Sequence, residues 1–155
     1  MKRISVALLA LSLSTAALAQ SSVTTTSKEF TTNAKKASDV VKFVEFKHDF
    51  GKIKQGVPVN YDFYFENVGS QPIVIESATA SCGCTTPTWP KTPITKAKKE
   101  KISAGYNASA ASPFDKTITV KVAGYDLPIE LRITGEVLNN EDYAKYEANK
   151  TKKAS

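Results

Sequence analysis

Val59-Asn60-Tyr61-Asp62-Phe63-Tyr64-Phe65-Glu66 is the stretch whose reading decides the fold. Val59, Tyr61, Phe63 and Phe65 fall on one parity, and Asn60, Asp62, Tyr64 and Glu66 fall on the other. Successive side chains of a strand point to opposite faces, so this period of two predicts a strand with one dry face and one wet face. Asn67-Val68-Gly69-Ser70 then supplies a turn, because glycine tolerates positive φ and asparagine bonds its own backbone.

The same period extends outward in both directions. Upstream, Val44, Phe46, His48 and Phe50 share an inward parity, followed by Gly51, read as a turn residue, and Ile53. Downstream come Ile73 with Ile75, then Ile102, Ala104 and Tyr106, then Ile118, Val120 and Val122 after the turn-like Ala111-Ser112-Pro113. The most regular set is the last, with Leu127, Ile129, Leu131, Ile133 and Val137 inward against Glu130, Arg132, Thr134 and Glu136. Ser81 to about Thr95 reads as a loop, since Pro87, Pro90 and Pro93 interrupt any ladder. Helical periodicity is absent from this region. About seven short strands with turn signals every ten or so residues predict an all-β, immunoglobulin-like β-sandwich of antiparallel, Greek-key type.

The flanks differ in composition. Lys2 and Arg3, the apolar run Ile4 to Leu13 and the small-residue site Ala17-Leu18-Ala19 predict a signal peptide over residues 1–19, cleaved before Gln20. Ser12, Ser14 and Thr15 break the apolar run below the roughly 20 residues that span a bilayer. No cysteine stands at the cleavage point for acylation, so no anchor is expected. Residues 20–40, rich in Ser, Thr and Lys, read as a flexible linker, and 41–138 as the sandwich domain. Residues 139–155 read as a polar tail, in which the Glu141 and Lys145 spacing supports a turn or two of helix and fraying is expected. Loss of Lys2 and Arg3 lowers the formal net charge from +6 to +4. A charge of that size, spread over many lysines, fits ordinary solubility and argues against nucleic acid as a partner.

Taken together, four stretches make the span from Phe46 to Val137 resemble DUF1573, a family of exported bacterial domains. They are His48-Asp49-Phe50-Gly51 with Ile53 and Gly56; Phe63, Phe65 and Asn67-Val68-Gly69 before Pro72-Ile73; Ser81-Cys82-Gly83-Cys84-Thr85 with Trp89 and Pro93-Ile94; and Phe114 with Lys116 to Val120, then Leu131 to Val137. The resemblance implies an immunoglobulin-like sandwich, export and occurrence in Bacteroidota-like bacteria, with no established activity. The chain departs from the family pattern at Lys96-Ala97, where Pro-Gly is usual, and at Glu100, near a second common glycine. That departure argues against a tight turn there and for a longer, more mobile segment over 95–101.

Cys82-Gly83-Cys84 is the one chemically reactive feature, and the expected compartment favours its oxidation. Two cysteines two apart on a flat strand sit near the limit of disulfide geometry, about 7 Å between Cα atoms, and a glycine-centred turn brings them closer. Three readings stand: a local disulfide that shapes the loop, a thiol or dithiol with a redox role, and a metal site using both cysteines with His48. The metal reading is short of the four ligands a structural zinc takes, and the parity of His48 with Phe46 and Phe50 makes it a packed edge residue. Trp89 reads as a lid on the core or on the cysteine loop, with an aromatic sugar site as its rival. Lys91, Lys96, Lys98, Lys99 and Lys101 form a basic run, read as a solvated turn against a contact with an anionic surface. Asn107-Ala108-Ser109 and Asn149-Lys150-Thr151 match the glycosylation pattern, which has meaning only in a eukaryotic secretory route.

Enzymatic constellations are missing: there is one histidine, and no Gly-x-Ser-x-Gly, phosphate loop or His-Glu-x-x-His occurs. The sequence therefore predicts an exported, periplasmic or extracellular, non-enzymatic module without a cofactor. It would bind a protein partner in the cell envelope through sheet edges and end loops. The alternative is a thiol redox or copper-handling protein built on Cys82 and Cys84, and a chaperone-like capture of strands is a third possibility.

Overall fold

A computed structural model describes residues 34–154. The signal peptide expected over 1–19 and the linker residues up to 33 lie outside the described residues. Eight strands form two four-stranded sheets. The first has the order β1-β3-β6-β5, built from β1 (Val41–Phe43), β3 (Val59–Asn67), β6 (Lys99–Tyr106) and β5 (Thr85–Thr88). The second has the order β2-β8-β7-β4, built from β2 (Lys47–Lys54), β8 (Ile129–Leu138), β7 (Pro113–Val122) and β4 (Ile75–Ala80). All pairings are antiparallel except β2 with β8, which is parallel.

The core lies where the alternation places it. Phe63, Phe65, Ile102, Ala104 and Tyr106 of the first sheet meet Ile118, Val120, Leu131, Ile133 and Val137 of the second, and all are buried. Tyr106 stacks on Phe114 with ring centroids 4.0 Å apart, joining the sheets. Full burial of each such side chain contributes about 1.5–3 kcal/mol, which makes this layer the main source of stability.

Several expectations are corrected. Val44 and Phe46 do not face the core: Val41 and Phe43 of β1 are buried on the opposite parity, and residues 44–46 cross from one sheet to the other. Val44 N–H still bonds Tyr64 C=O of the first sheet and Phe46 C=O already accepts from Arg132 N–H of the second, so the chain changes sheets within three residues and the one parity read across it breaks there. Gly51 is not a turn but a bulge inside β2, at φ 63°, with Asp49 facing Thr134 and Lys52 facing Glu136. The extra residue switches the parity, so Phe50 and Ile53 both turn inward. Leu127 is exposed: it stands ahead of β8 and pairs with Lys36 instead of joining that strand's inward face.

The span 81–95 is not wholly a loop, since it holds β5 with Pro87 inside it. An edge strand tolerates a proline whose nitrogen faces away from its neighbour. The tight turn at 95–98 persists without Pro-Gly: Lys98 N–H bonds Thr95 C=O at 3.1 Å, and Ala97 takes φ 60° at its third position. The ordered fold begins before the expected boundary at 41. Lys35 C=O accepts from the Asp126 and Leu127 amides, and Ala37 is fully buried in a short 3-10 turn. The expected fraying tail is a helix, α1 (Asn140–Ala154). Asn139 caps it: its Oδ1 accepts the Asp142 N–H at 2.9 Å, and its Nδ2 donates to the Asp142 carboxylate. Among the described residues, no helix is long and apolar enough to cross a membrane.

Candidate functional site

β4 and β5 lie in different sheets, and Ser81 to Cys84 form the corner between them. Cys82 and Cys84 are joined as a disulfide with Cα atoms 5.4 Å apart. The turn is closed by the Thr85 N–H on the Cys82 carbonyl at 3.3 Å, and Cys84 C=O accepts from the Asn107 N–H at 3.1 Å. The two sulfurs differ in setting: Cys84 packs against the core, while Cys82 faces the Thr85 hydroxyl 3.8 Å away. Apart from its two neighbouring cysteines, no atom lies within 4 Å of where a side chain on Gly83 would start, so the tip of the corner is open.

The other residues singled out by sequence are not gathered around this pair. His48 stands on β2, and β8 and β7 separate it from β4 and the corner that follows. Three inter-strand steps of about 4.8 Å put it far outside ligand range of either sulfur. It instead stacks on Tyr61, ring centroids 3.5 Å apart, and meets Phe50 edge-on, which is the packed role its parity suggests. Among the described residues, no group of three or more His, Cys, Asp or Glu is placed to hold a metal ion. Trp89 follows β5 and covers the core edge, with the Lys91 ammonium over its ring and its buried indole N–H without a partner among the described residues.

The basic run is largely neutralised across the first sheet. Lys98 pairs with Glu100 at 2.7 Å, Lys99 reaches Glu66 at 4.0 Å and Lys101 meets Asp62 at 2.6 Å. Lys101 and the Ser103 hydroxyl, both bonding the Asp62 carboxylate, hold its pKa below the usual 3.8. Burial pushes the Tyr106 phenol up. On the outer face of the second sheet, Arg132 grips Asp115 with two parallel bonds of 2.6 and 2.5 Å and lowers its pKa likewise.

One surface was not visible in the alternation. Beside β1, Val44 is 82% exposed, Phe46 50% and Tyr64 54%. Lys42, Val44, Tyr64, Glu66 and Lys99 surround a shallow hollow of about 350 Å³ there. Val44 and Tyr64 share the face that lines this hollow, while Phe46 lies by the Phe43 ring 5.8 Å away, so exposed apolar surface stands at this edge of the kind that marks interaction surfaces. The signal in the sequence is the parity clash between Val41 with Phe43 and Val44 with Phe46, which no single flat strand can satisfy.

Two sheets closed over one core, with a disulfide at the β4–β5 corner, define an immunoglobulin-like β-sandwich domain. The chain belongs to the DUF1573 family, whose model, described as a protein of unknown function, matches residues 41–137. No curated protein matches the chain. Among solved structures, a protein of unknown function from Porphyromonas gingivalis W83 is similar at 16% identity and TM-score 0.55, over 63% of this chain and 46% of that one. The VesB protease of Vibrio cholerae is similar at 14% identity and TM-score 0.51, over 65% of this chain and 33% of that one. The chain thus spans less than half the length of either. The ASH/PapD-like domain 7 of human CEP192 is similar along nearly its whole length, 89% of this chain and 99% of that one, at 9% identity and TM-score 0.55. At these identities the likeness concerns the fold alone.

Proposed function

We propose that this domain is an exported, non-enzymatic binding module whose partner is a protein of the cell envelope or the extracellular space. The observation that carries the reading is the exposure of Val44 and Tyr64 on one face of the first sheet's edge, with Phe46 exposed beside it. Such exposure is tolerated when a second surface covers it for part of the time. On the same sheet Lys99 pairs with Glu66 and Lys101 with Asp62, so the apolar patch stands among charges that are largely neutralised. Placing a photo-crosslinking amino acid at 44 and at 64 in the native, exporting cell tests it. Discrete adducts are expected at both positions and not at Lys121 on the opposite sheet; equal labelling, or none, sinks the reading. Export itself is checked by the N-terminus of the mature protein, expected at Gln20.

A second reading, thiol exchange or copper handling at Cys82 and Cys84, draws on the open tip at Gly83. Thiol counting on natively exported protein, together with its metal content by mass spectrometry, separates the two. A pair that resists physiological thiols and carries no metal leaves the binding module alone.

A further inference from the structure

We propose that the outer edge of β1 accepts an extended segment of a partner protein as an added antiparallel strand, with an acidic side chain of that segment opposite Lys42. This rests on the binding-module reading and names its surface. Two sheets have four edges, and three of them carry devices that discourage strand addition. On β5, Cys84 C=O bonds the neighbouring strand, so the alternate residue Pro87 faces outward and offers a nitrogen without hydrogen. On β4, an extra residue between Ile75 and Ser77 breaks the register. On β2, the Gly51 bulge does the same and helix α1 lies alongside, with Tyr146 beneath the Lys52 ammonium.

β1 is short and carries Lys42, but it has no proline and no bulge, and among the described residues β3 is its only ladder partner. Val40 C=O accepts from Val68 N–H and Val44 N–H donates to Tyr64 C=O, so the even residues turn their backbone groups toward β3. The N–H and C=O groups of Val41 and Phe43 therefore point away from the sheet, at the spacing an added strand needs. Side chains decide which strand fits. Lys42 is exposed and has no carboxylate within ion-pair distance among the described residues, whereas Lys98, Lys99 and Lys101 each have one. A carboxylate opposite Lys42 would complete it. Two residues away on the same face, Val44 and Tyr64 call for an apolar side chain, and between them an inward apolar residue would cover Phe46.

The test uses the mature protein and a fluorescein-labelled peptide, acetyl-Thr-Thr-Val-Phe-Glu-Thr-Thr-amide, read by anisotropy. The expected result is saturable binding that weakens at least fivefold when the peptide Glu is replaced by Lys. Lys42→Glu should reverse that preference, and N-methylation of the peptide Phe should abolish binding. Binding indifferent to both charge swaps, or to N-methylation, overturns the proposal. So does a dimer by sedimentation that Val44→Lys disperses, which would assign the edge to a second copy, and so does binding that appears only after residues 20–33 are removed. If the peptide fails while crosslinks at 44 and 64 persist, the strand-addition idea falls and the binding module stands. Loss of the crosslinks removes both.

Discussion

Asn67 has no exposed surface, and its side chain is fully engaged. Its amide nitrogen donates to the carbonyls of Gln71 at 2.9 Å and Ile94 at 2.8 Å, and its Oδ1 accepts the Gly69 N–H at 2.9 Å. Its own backbone holds the facing turn, since Ala97 N–H bonds its carbonyl and its N–H bonds the Lys98 carbonyl. The motif Asn67-Val68-Gly69 is thus more than a turn: one side chain ties the end of β3 to the segment leading into β6. Asn67→Ala strands those buried groups and is expected to cost about 2–4 kcal/mol in urea unfolding. A loss below half a kilocalorie would mean that the network does not hold the turn. Ala97 shows the opposite sign. Its φ of 60° suits glycine, so Ala97→Gly is expected to raise stability by about 0.5–1 kcal/mol in the same assay. The family's usual Pro-Gly fits the geometry seen here, a type II turn, while Lys96-Ala97 occupies it at a small cost.

Among the elements, β2 and the β4–β5 corner hold the most information. The bulge at Gly51 brings its carbonyl against Gly135 of β8, and a Cβ on Gly135 would lie 2.9 Å from that oxygen and 2.7 Å from the Phe114 ring. Gly135→Ala is therefore expected to destabilise by about 1–3 kcal/mol, read as a lower urea midpoint. An unchanged midpoint would show that the parallel β2–β8 pairing can move aside. At the corner, the disulfide closes so short a loop that chain entropy gives it at most about 1.6 kcal/mol. The double change Cys82→Ser and Cys84→Ser should lower stability by less than that and leave the near-ultraviolet spectrum of the core intact. A collapse of the fold would instead make the bridge a structural staple. The missed helix α1 belongs to this scale too. Asn139 and Asp142 spell a cap in the sequence, but Tyr146, which lies beneath Lys52 of β2, and Tyr143 beside it carry no helical stripe strong enough to announce the helix.

For the whole molecule, the outer faces of the two sheets each carry a carboxylate held by a cation, Asp62 by Lys101 and Asp115 by Arg132. Both acids have folded pKa values below their ordinary 3.8. Their contribution is fully present above that value and is lost as pH falls through the lowered ones. The double variant Asp62→Asn and Asp115→Asn is accordingly expected to show a flatter acid limb than wild type below about pH 4, with the difference shrinking in high salt because both pairs are exposed. Parallel limbs would mean that the pairs are neutral to folding. The sandwich, most of its core between Phe63 and Val137 and the family were legible in the chain, because burial on one face of a strand writes a period of two directly into sequence. What the sequence left open is where the chain leaves one sheet for the other. That crossing at 44–46, the bulge at Gly51, the separation of His48 from the cysteines and the place of β1 at a sheet edge are set by pairings between residues far apart, and only the assembled sheets decide them.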